Sequence, residues 1–442
     1  MVKRVSSVFV LLLLVASLYA VGTQEGTGKE EEESLSGITI TLWSGYPELQ
    51  PVYDVAAEDF MAAYPGVVVE NLFFNLRDCE SKTAMALAAG GGPDVIEHCQ
   101  HGTVREFGQA GFLAEMPDDV RAWMHENISD WAVDVEEAAG GWGIPKSQGM
   151  KRLYWNIDMF EEAGLPGPPK NWNELVDYAT KLAKYDEKGK LIRSGLSFRL
   201  SGGGMGVAQK FEIFLMAAGG RIVEKVGEKY RAGYDNQAGY DTLKLYLDGL
   251  YKYGFDSFDI KHDAEAFALE KTAMFCRESW VLGYMKEHAP DVKYNVAYMP
   301  TNRRSATRVA YGSFYVNNFA KSKEQELSWE YIQTILSPKF VALLAEKVGN
   351  IMPVKNVDLS AVFQETPQMR AFGVLPDWEH FELPEWGIEP EPQIWTKFAE
   401  RLEEAYQMRD WADDPEAIRG FLHDCAEETN ALLAEYELLS ED

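Results

Sequence analysis

The sequence predicts an α/β fold with room for two lobes, and two observations support this prediction. Between residues 38 and 96, β-branched strand patterns alternate with helical patterns, which is typical of a parallel sheet with helices on its faces. The chain has 442 residues, which is enough for two lobes that each bury a hydrophobic core.

The first elements follow one another closely. The β-branched run at residues 38–43 predicts a buried strand, and Pro51 opens a helix whose apolar residues recur at helical spacing. Strands are predicted at 67–74 and 94–96, with a helix at 81–89 between them. Strands joined in this way by helices are expected to run parallel in one sheet.

The rest of the chain has more helical patterns. Asn171, with Glu174 three residues later, predicts a capping box at the start of a helix. Periodicity and Gly or Pro breaks predict further helices at 211–218, 237–253, 324–336, 339–348, 394–408 and 415–436, and strands at 273–275 and 292–297.

The N-terminus has the anatomy of a signal peptide. Basic residues precede an apolar run at 8–15, and the small residues Ala20 and Gly22 offer a cleavage site, so residues 1–22 are predicted to be removed on export. Residues 23–37 are polar and acidic, which predicts a disordered tether. No Cys lies near the cleavage site, so we expect no lipid anchor and a periplasmic location.

Composition limits the possible partners. The formal net charge of −28 argues against nucleic acid or an anionic membrane as a partner. The chain contains 12 Trp and 21 Tyr, which supply the flat apolar faces and polar tips that a sugar site needs, although ordinary packing also uses such residues.

The four cysteines, Cys79, Cys99, Cys276 and Cys425, do not have a metal-ligand spacing. Cys79 and Cys99 are the plausible disulfide pair in an exported protein. Free buried thiols are the other interpretation, and the one that we favour.

Enzyme motifs are missing from the sequence. The chain contains no P-loop, no H-E-x-x-H and no G-x-S-x-G pattern. The glycine-rich stretch 201–206 lacks the Lys and Ser/Thr of a phosphate loop and is interpreted as a surface loop. We therefore assign no catalytic residue, cofactor or metal, but 70 acidic residues leave a two-carboxylate glycosidase open.

Residues 141–175 carry the most informative pattern. Four motifs follow one another there: GWGIP at 141–145, LYWNIDMF at 153–160, AGLP at 163–166 and PKNWNEL at 169–175. This order resembles that of the bacterial extracellular solute-binding proteins of family 1, which are similar to maltose-binding protein and deliver sugars to ABC importers.

Four further stretches extend the resemblance over most of the chain after Gly37. They are AMALAAGGGPDV at 84–95, EAFALEKTAM at 265–274 followed by Trp280, VAYMP at 296–300, and the run from WEYI at 329–332 to GNIMPV at 349–354. Glu270 departs from the pattern, because the family usually has Gly there.

The resemblance implies a two-lobed periplasmic-binding-protein clamp. Each lobe would be a mixed or parallel sheet flanked by helices, and hinge strands would join the lobes around a ligand cleft at the carboxyl ends of strands. Lobe one is predicted at 38–145 and 312–353, lobe two at 146–311 and 354–442, and the hinge crossings at 143–148, 304–313 and 352–356.

Position in such a clamp predicts the ligand-binding residues. Trp280 matches the family Trp that stacks on sugar rings, and Trp395 matches another stacking position. The full predicted set is Trp43, Tyr46, Glu48, Glu97, His98, Gln100, His101, Lys146, Gln148, Met150, Trp280, Gly312, Ser313 and Trp395.

Several of these residues also have an interpretation that involves no ligand. Trp43 can be core at a strand end, Glu97 a solvated loop carboxylate, and the pair His98 and His101 surface histidines.

The expected function is that of an exported, monomeric sugar-binding subunit of an ABC importer, with a membrane permease as its partner and no chemistry of its own. Three alternatives remain: the same fold with another solute such as a polyol phosphate or an iron-carrying anion, a secreted carbohydrate-active enzyme, and a structural adhesin. An anion is disfavoured at this point, because only Lys146 and the histidines oppose the acidic cleft candidates.

Overall fold

The computed structural model describes residues 35–98, 101–146, 149–202, 204–260, 262–310, 312–373, 380–382 and 388–441. Its strands are β1 (Ile38–Ser44), β2 (Val67–Phe73), β3 (Val95–His98), β4 (Gly143–Pro145), β5 (Gly149–Met150), β6 (Arg152–Asn156), β7 (Lys184–Tyr185), β8 (Leu191–Arg193), β9 (Val223–Val226), β10 (Lys229–Ala232), β11 (Met274–Arg277), β12 (Tyr294–Ala297), β13 (Ala306–Ala310), β14 (Ser313–Val316) and β15 (His380–Glu382).

The helices are α1 (Gln50–Ala63), α2 (Leu76–Ala88), α3 (His101–Gln109), α4 (Asp118–Asn127), α5 (Asp130–Ala139), α6 (Ile157–Glu162), α7 (Trp172–Leu182), α8 (Gly206–Ala217), α9 (Gln237–Leu247), α10 (Asp263–Ala268), α11 (Trp280–His288), α12 (Ser322–Ile335), α13 (Pro338–Val348), α14 (Ser360–Glu365), α15 (Arg370–Gly373), α16 (Glu391–Ala405) and α17 (Pro415–Glu435). No helix among the described residues combines the length and the apolar character needed to cross a membrane.

The first lobe is built on a sheet whose described strands lie in the order β2-β1-β3-β14-β4. β1 pairs in parallel with β2 and β3, whereas β14 is antiparallel to β3 and β4. Ile40 and Leu42 of β1 are fully buried against the lobe's helices, because residues two apart on a strand share one face. The parallel sheet expected from the early strands is present, and later segments add two antiparallel strands.

The second lobe packs helices around the antiparallel sheet β11-β6-β12 and around a mixed sheet in which β13 lies between β5 and β15. Tyr246 of α9 stacks on Phe198 with 4.1 Å between ring centroids and on Tyr406 with 5.0 Å. Both contacts are part of a second hydrophobic core, distinct from that of the first lobe.

Two chain connections join the lobes, and their flanking strands are paired. One leads from β4 to β5 and the other from β13 to β14; β4 pairs with β14 in the first lobe, and β5 pairs with β13 in the second. In the segment predicted as the third crossing, the Pro353 carbonyl accepts a hydrogen bond from Ser129 N–H at 2.7 Å. The two-lobed α/β clamp is confirmed, while the exact lobe boundaries and the hinge motion stay predictions.

Several helices begin or end away from their predicted bounds for identifiable reasons. The helix predicted from residue 81 begins at Leu76, because the Asn75 side chain accepts a hydrogen bond from Asp78 N–H at 3.0 Å and caps it. The α-helical part of the segment 237–253 ends at Leu247 and continues as a π-helical turn, Asp248–Lys252. Asn171 caps α7, accepting from Glu174 N–H at 3.0 Å, but the Glu174 side chain accepts from Lys170 N–H at 2.8 Å, so only half of the predicted capping box forms.

The predicted signal peptide, residues 1–22, and the tether up to residue 34 lie outside the described residues. Cys99 also lies outside them, so its pairing with Cys79 stays a prediction. Cys276 and Cys425 are free buried thiols.

Substitution of Leu42 tests the packing of the first lobe. Leu42→Ala removes a fully buried side chain and should lower the free energy of unfolding by about 2–5 kcal/mol. Leu72→Ala, on the neighbouring strand, is the matched control; Leu72 is 43% exposed, so the loss should stay within about 0.5 kcal/mol. Urea unfolding followed by circular dichroism measures both, and equal losses would contradict the assigned faces of the sheet.

Candidate functional site

Four predicted site residues meet at the carboxyl edge of the first lobe's parallel strands. Tyr46 and Glu48 lie shortly after β1, and Glu97 is the second-last residue of β3. Lys146 directly follows β4. Because β1 and β3 are parallel neighbours, the residues after them come to the same edge of the sheet. Lys146 joins them because β14, which lies between β3 and β4, brings β4 to that edge.

Glu97 and Lys146 form a buried ion pair. Lys146 Nζ contacts Glu97 Oε1, and the two residues are 2% and 4% exposed. The hydroxyl of Tyr53, from α1, donates to the same oxygen at 2.9 Å. A buried pair of this kind is stable only when its remaining polar atoms are also satisfied.

The second oxygen of Glu97 is not satisfied. Glu97 Oε2 is buried and has no hydrogen-bond partner among the described residues. Since a buried carboxylate oxygen without a donor costs free energy, this atom is a ready acceptor for a hydroxyl or N–H group of a ligand.

Tyr46 and Glu48 border this ion pair. Lys146 Nζ lies 4.1 Å from the centroid of the half-buried Tyr46 ring, a cation–π contact. Glu48 reaches solvent, yet desolvation by the surrounding protein raises the pKa of its carboxyl; Lys146 opposes the shift and Glu97 adds to it. An aromatic face, an ammonium group and two carboxylates are thus close together.

The side chains of Ser313 and His98 make their contacts within the first lobe. Ser313 Oγ donates to the buried Glu136 carboxylate at 2.6 Å, and Gly312 accepts through its carbonyl from Lys146 N–H at 2.8 Å. His98 is 4% exposed and packs edge-on against Phe107 at 6.1 Å. Burial, followed by the nearby Arg77, lowers the pKa of His98 to about 4, so the ring is neutral at neutral pH.

Trp280 begins α11 on the other lobe. It is half-buried, and its indole N–H donates to Glu278 Oε2 at 3.3 Å. Glu278 also pairs with Lys151, and the Arg277 guanidinium lies 5.3 Å from the Trp280 ring centroid. The indole group is therefore partly exposed beside a charged group.

The remaining predicted residues are placed differently. Trp43 is half-buried, with its ring edge-on to Phe74 at 5.5 Å, while Met150 is fully buried beneath the crossing. Trp395 is 2% exposed in the second core, with Arg308 5.4 Å from its ring centroid, an arrangement that does not favour ring stacking on a ligand. Gln100, Gln148 and the side chain of His101 lie outside the described part of the chain.

Sequence reasoning missed Tyr53, Lys151, Arg277 and Glu278. Tyr53 is separated from Glu97 by 44 residues, so no local motif marks their hydrogen bond. Arg277 and Glu278 lie three and two residues before Trp280, which was predicted. Their position at the carboxyl end of β11 was the available indication.

The chain belongs to the bacterial extracellular solute-binding protein family, whose model matches residues 46–342. This confirms the family that the motifs resemble.

A binding protein of Brucella abortus is 28% identical over 254 residues, which cover 54% of this chain. The alignment spans 59% of that relative's own length.

Two solved structures have the same fold. One is an ABC transporter solute-binding protein from Thermotoga lettingae bound to α-D-tagatose, with a TM-score of 0.73, 23% identity and coverage of 90% of this chain and 100% of that one. The other is UgpB from Mycobacterium tuberculosis with glycerophosphocholine, with a TM-score of 0.75, 17% identity and coverage of 91% and 100%.

The pH dependence of stability tests the placement of His98. Its folded pKa of about 4 lies below its ordinary value of 6.5, so between these values the unfolded chain binds a proton that the folded protein excludes. The contribution of His98 is therefore complete above pH 6.5 and is lost as pH falls toward 4, by up to about 3 kcal/mol.

Comparing wild type with His98→Gln isolates this contribution, because all other groups titrate in both proteins. The free energy of unfolding of wild type should fall more steeply between pH 6.5 and 4. Parallel curves would contradict a buried neutral His98.

Proposed function

We propose that the protein is the exported substrate-binding subunit of an ABC importer and that it captures a sugar or oligosaccharide between its lobes without changing it chemically. The observation that carries this proposal is the buried Glu97 Oε2 atom at the carboxyl edge of the sheet, to which no group of the described residues donates a hydrogen bond. Membership of the solute-binding family supports the binding role.

A sugar suits the chemistry of both cleft walls. On the first lobe, Glu97 would accept a hydroxyl hydrogen, and a charged acceptor makes such a bond stronger than a neutral one does. On the second lobe, the partly exposed Trp280 ring would pack against the apolar C–H face of the sugar. Tyr46, Glu48 and Trp43 complete the proposed contact set.

The strand pairing at both ends of two chain connections supports capture by closure. Connections held in this way would restrict the relative motion of the lobes to a hinge. A ligand that contacts Glu97 on one lobe and Trp280 on the other would then favour the closed state, because only that state offers both contacts.

The ligands of the related structures are compatible with this class. The Thermotoga lettingae protein is named with a sugar, α-D-tagatose, and UgpB with glycerophosphocholine, a polar solute that carries a phosphodiester. We extend to this chain the class of small polar solute and the role of delivery to a membrane permease, and we propose a monomer in the periplasm.

A ligand screen tests the proposal directly. We expect one or more mono- or oligosaccharides to raise the melting temperature in a saturable manner, and calorimetry to give one binding site per chain. The ligand should be recovered intact by chromatography after long incubation. Turnover would indicate the carbohydrate-active enzyme instead, and no melting shift with any solute would favour the adhesin.

Replacing Glu97 tests whether its Oε2 atom accepts a hydrogen bond from the ligand. Glu97→Gln keeps the shape but removes the charged acceptor, so we expect affinity for the captured sugar to fall about tenfold or more. Glu224→Gln is the matched control, because Glu224 is exposed on the β9–β10 hairpin, and it should leave affinity unchanged. The melting temperature of each ligand-free variant shows whether the fold is intact, and unchanged affinity in Glu97→Gln would contradict the role of Oε2.

A further inference from the structure

Basic side chains of the second lobe gather around one carboxylate close to Trp280. Lys210 Nζ lies 3.2 Å from Asp263 Oδ2, and Arg277 Nε lies 3.1 Å from Asp263 Oδ1. Arg199 lies within electrostatic range of Asp263 and Arg277. Three cations therefore lie around Asp263, and Glu403 is a second carboxylate within electrostatic range of Arg199, so one positive charge remains in excess. Lys210 and Asp263 are only 4% and 5% exposed.

The nearby carboxylate of Glu278 does not remove this surplus of positive charge. Glu278 Oε2 lies 3.7 Å from an Arg277 guanidinium nitrogen, but Glu278 is already paired with the buried Lys151. Counting Glu278 thus adds one anion and one cation. A local excess of positive charge is unusual in a chain with a formal net charge of −28.

The excess of positive charge around Asp263 is electrostatically unfavourable. Burial alone would raise the pKa of Asp263, but Lys210 and Arg277 hold that pKa well below its usual range, so the carboxylate is charged. Burial lowers the pKa of Lys210 to about 8, where Asp263 opposes the shift and Arg277 adds to it. Buried like charges without matching anions are unfavourable, and an anion brought by a ligand would relieve them.

The backbone presents Arg199 in a strained conformation. Its φ of 59° lies in the left-handed region, which a residue other than Gly rarely adopts. The glycine-rich loop 201–206 follows directly, and a Cβ atom added at Gly206 would lie 2.5 Å from Arg199 Cζ. Gly202 and Gly206 therefore lie close to the guanidinium group, for which the described residues supply no hydrogen bond or ion pair.

The same loop faces the first lobe. A Cβ atom added at Gly204 would lie 3.8 Å from a guanidinium nitrogen of Arg77, which is in the first turn of α2. Arg77 pairs with Glu80 at 2.7 Å and also contributes to a lowered pKa of Arg199, after desolvation and Arg277. The surplus charge consequently lies where the two lobes approach each other.

We propose that the cleft ligand carries an anionic group, a carboxylate or a phosphate, which binds to Arg199 and Arg277 while its sugar ring packs on Trp280. This inference rests on the proposed function and narrows its substrate class to acidic saccharides. Guanidinium groups suit such a ligand, because their N–H donors match the paired oxygens of carboxylate and phosphate. The expectation that the acidic cleft disfavours an anion came from Lys146 and the histidines alone and did not include these arginines.

Matched ligand series test this inference. Neutral mono- and disaccharides are compared by calorimetry with their uronic acids and their phosphate esters, and inorganic phosphate alone is tested by melting temperature at low salt. We expect one acidic series to bind about tenfold or more tightly than the neutral series, and the preferred series identifies the anionic group. We also expect inorganic phosphate to raise the melting temperature.

Three substitutions locate the effect. Arg199→Gln should remove both the acidic preference and the phosphate shift, whereas Arg199→Lys should keep part of each, because it retains the charge without the planar fork. Arg231→Gln, on the exposed β9–β10 hairpin, removes the same charge elsewhere and should change neither. The melting temperature of each ligand-free variant checks its folding.

The outcomes separate the two proposals. Capture of neutral sugars with no acidic preference and no phosphate shift would overturn this inference and leave the proposed function standing. A phosphate shift that Arg199→Gln abolishes, without binding of any saccharide, would keep the anion site and overturn the proposed sugar-binding role. An acidic preference that survives in Arg199→Gln would overturn the assignment to Arg199.

Discussion

The buried ion pair between Glu97 and Lys146 is the interaction on which the proposed site depends. It links the end of β3 to the segment that leaves the first lobe, and both side chains are almost fully buried. Burying two charges is costly and is tolerated only when nearly all their polar atoms are bonded. One oxygen, Glu97 Oε2, has no donor in the part of the chain that the structure describes, so the pair positions an acceptor for a ligand at the point where the chain departs for the other lobe.

The chain connection that begins at Lys146 is anchored at its other end by a second buried ion pair. Lys151 follows β5, is 3% exposed and pairs with Glu278 of the second lobe. Only four residues therefore lie between two buried lysines, each held by a carboxylate of a different lobe. Trp280, two residues after Glu278, lies beside the second of these ion pairs, because its indole N–H donates to Glu278. A ligand between Glu97 and Trp280 would contact groups held by both anchors.

Most of the fold was predictable because its determinants are local. The alternation of Ile40 and Leu42, the cap at Asn171 and the breaks at Gly and Pro act within one or two turns of chain. The site was only partly predictable, because its contacts join residues far apart in sequence, as Tyr53 and Glu97 show. Trp395 shows a second limit of prediction from the sequence, the transfer of a role from a motif position. Its motif position suggested a ligand contact, whereas its helical spacing with Phe398 and Leu402 matches the buried face of α16 on which the structure places it.

The most direct measurement of the central claim is a crystal structure of the protein with the saccharide that a screen identifies. The account predicts a ligand between the lobes with a hydroxyl oxygen about 2.5–2.7 Å from Glu97 Oε2 and a ring packed on Trp280. A ligand bound elsewhere, with Glu97 Oε2 still without a donor, would contradict it.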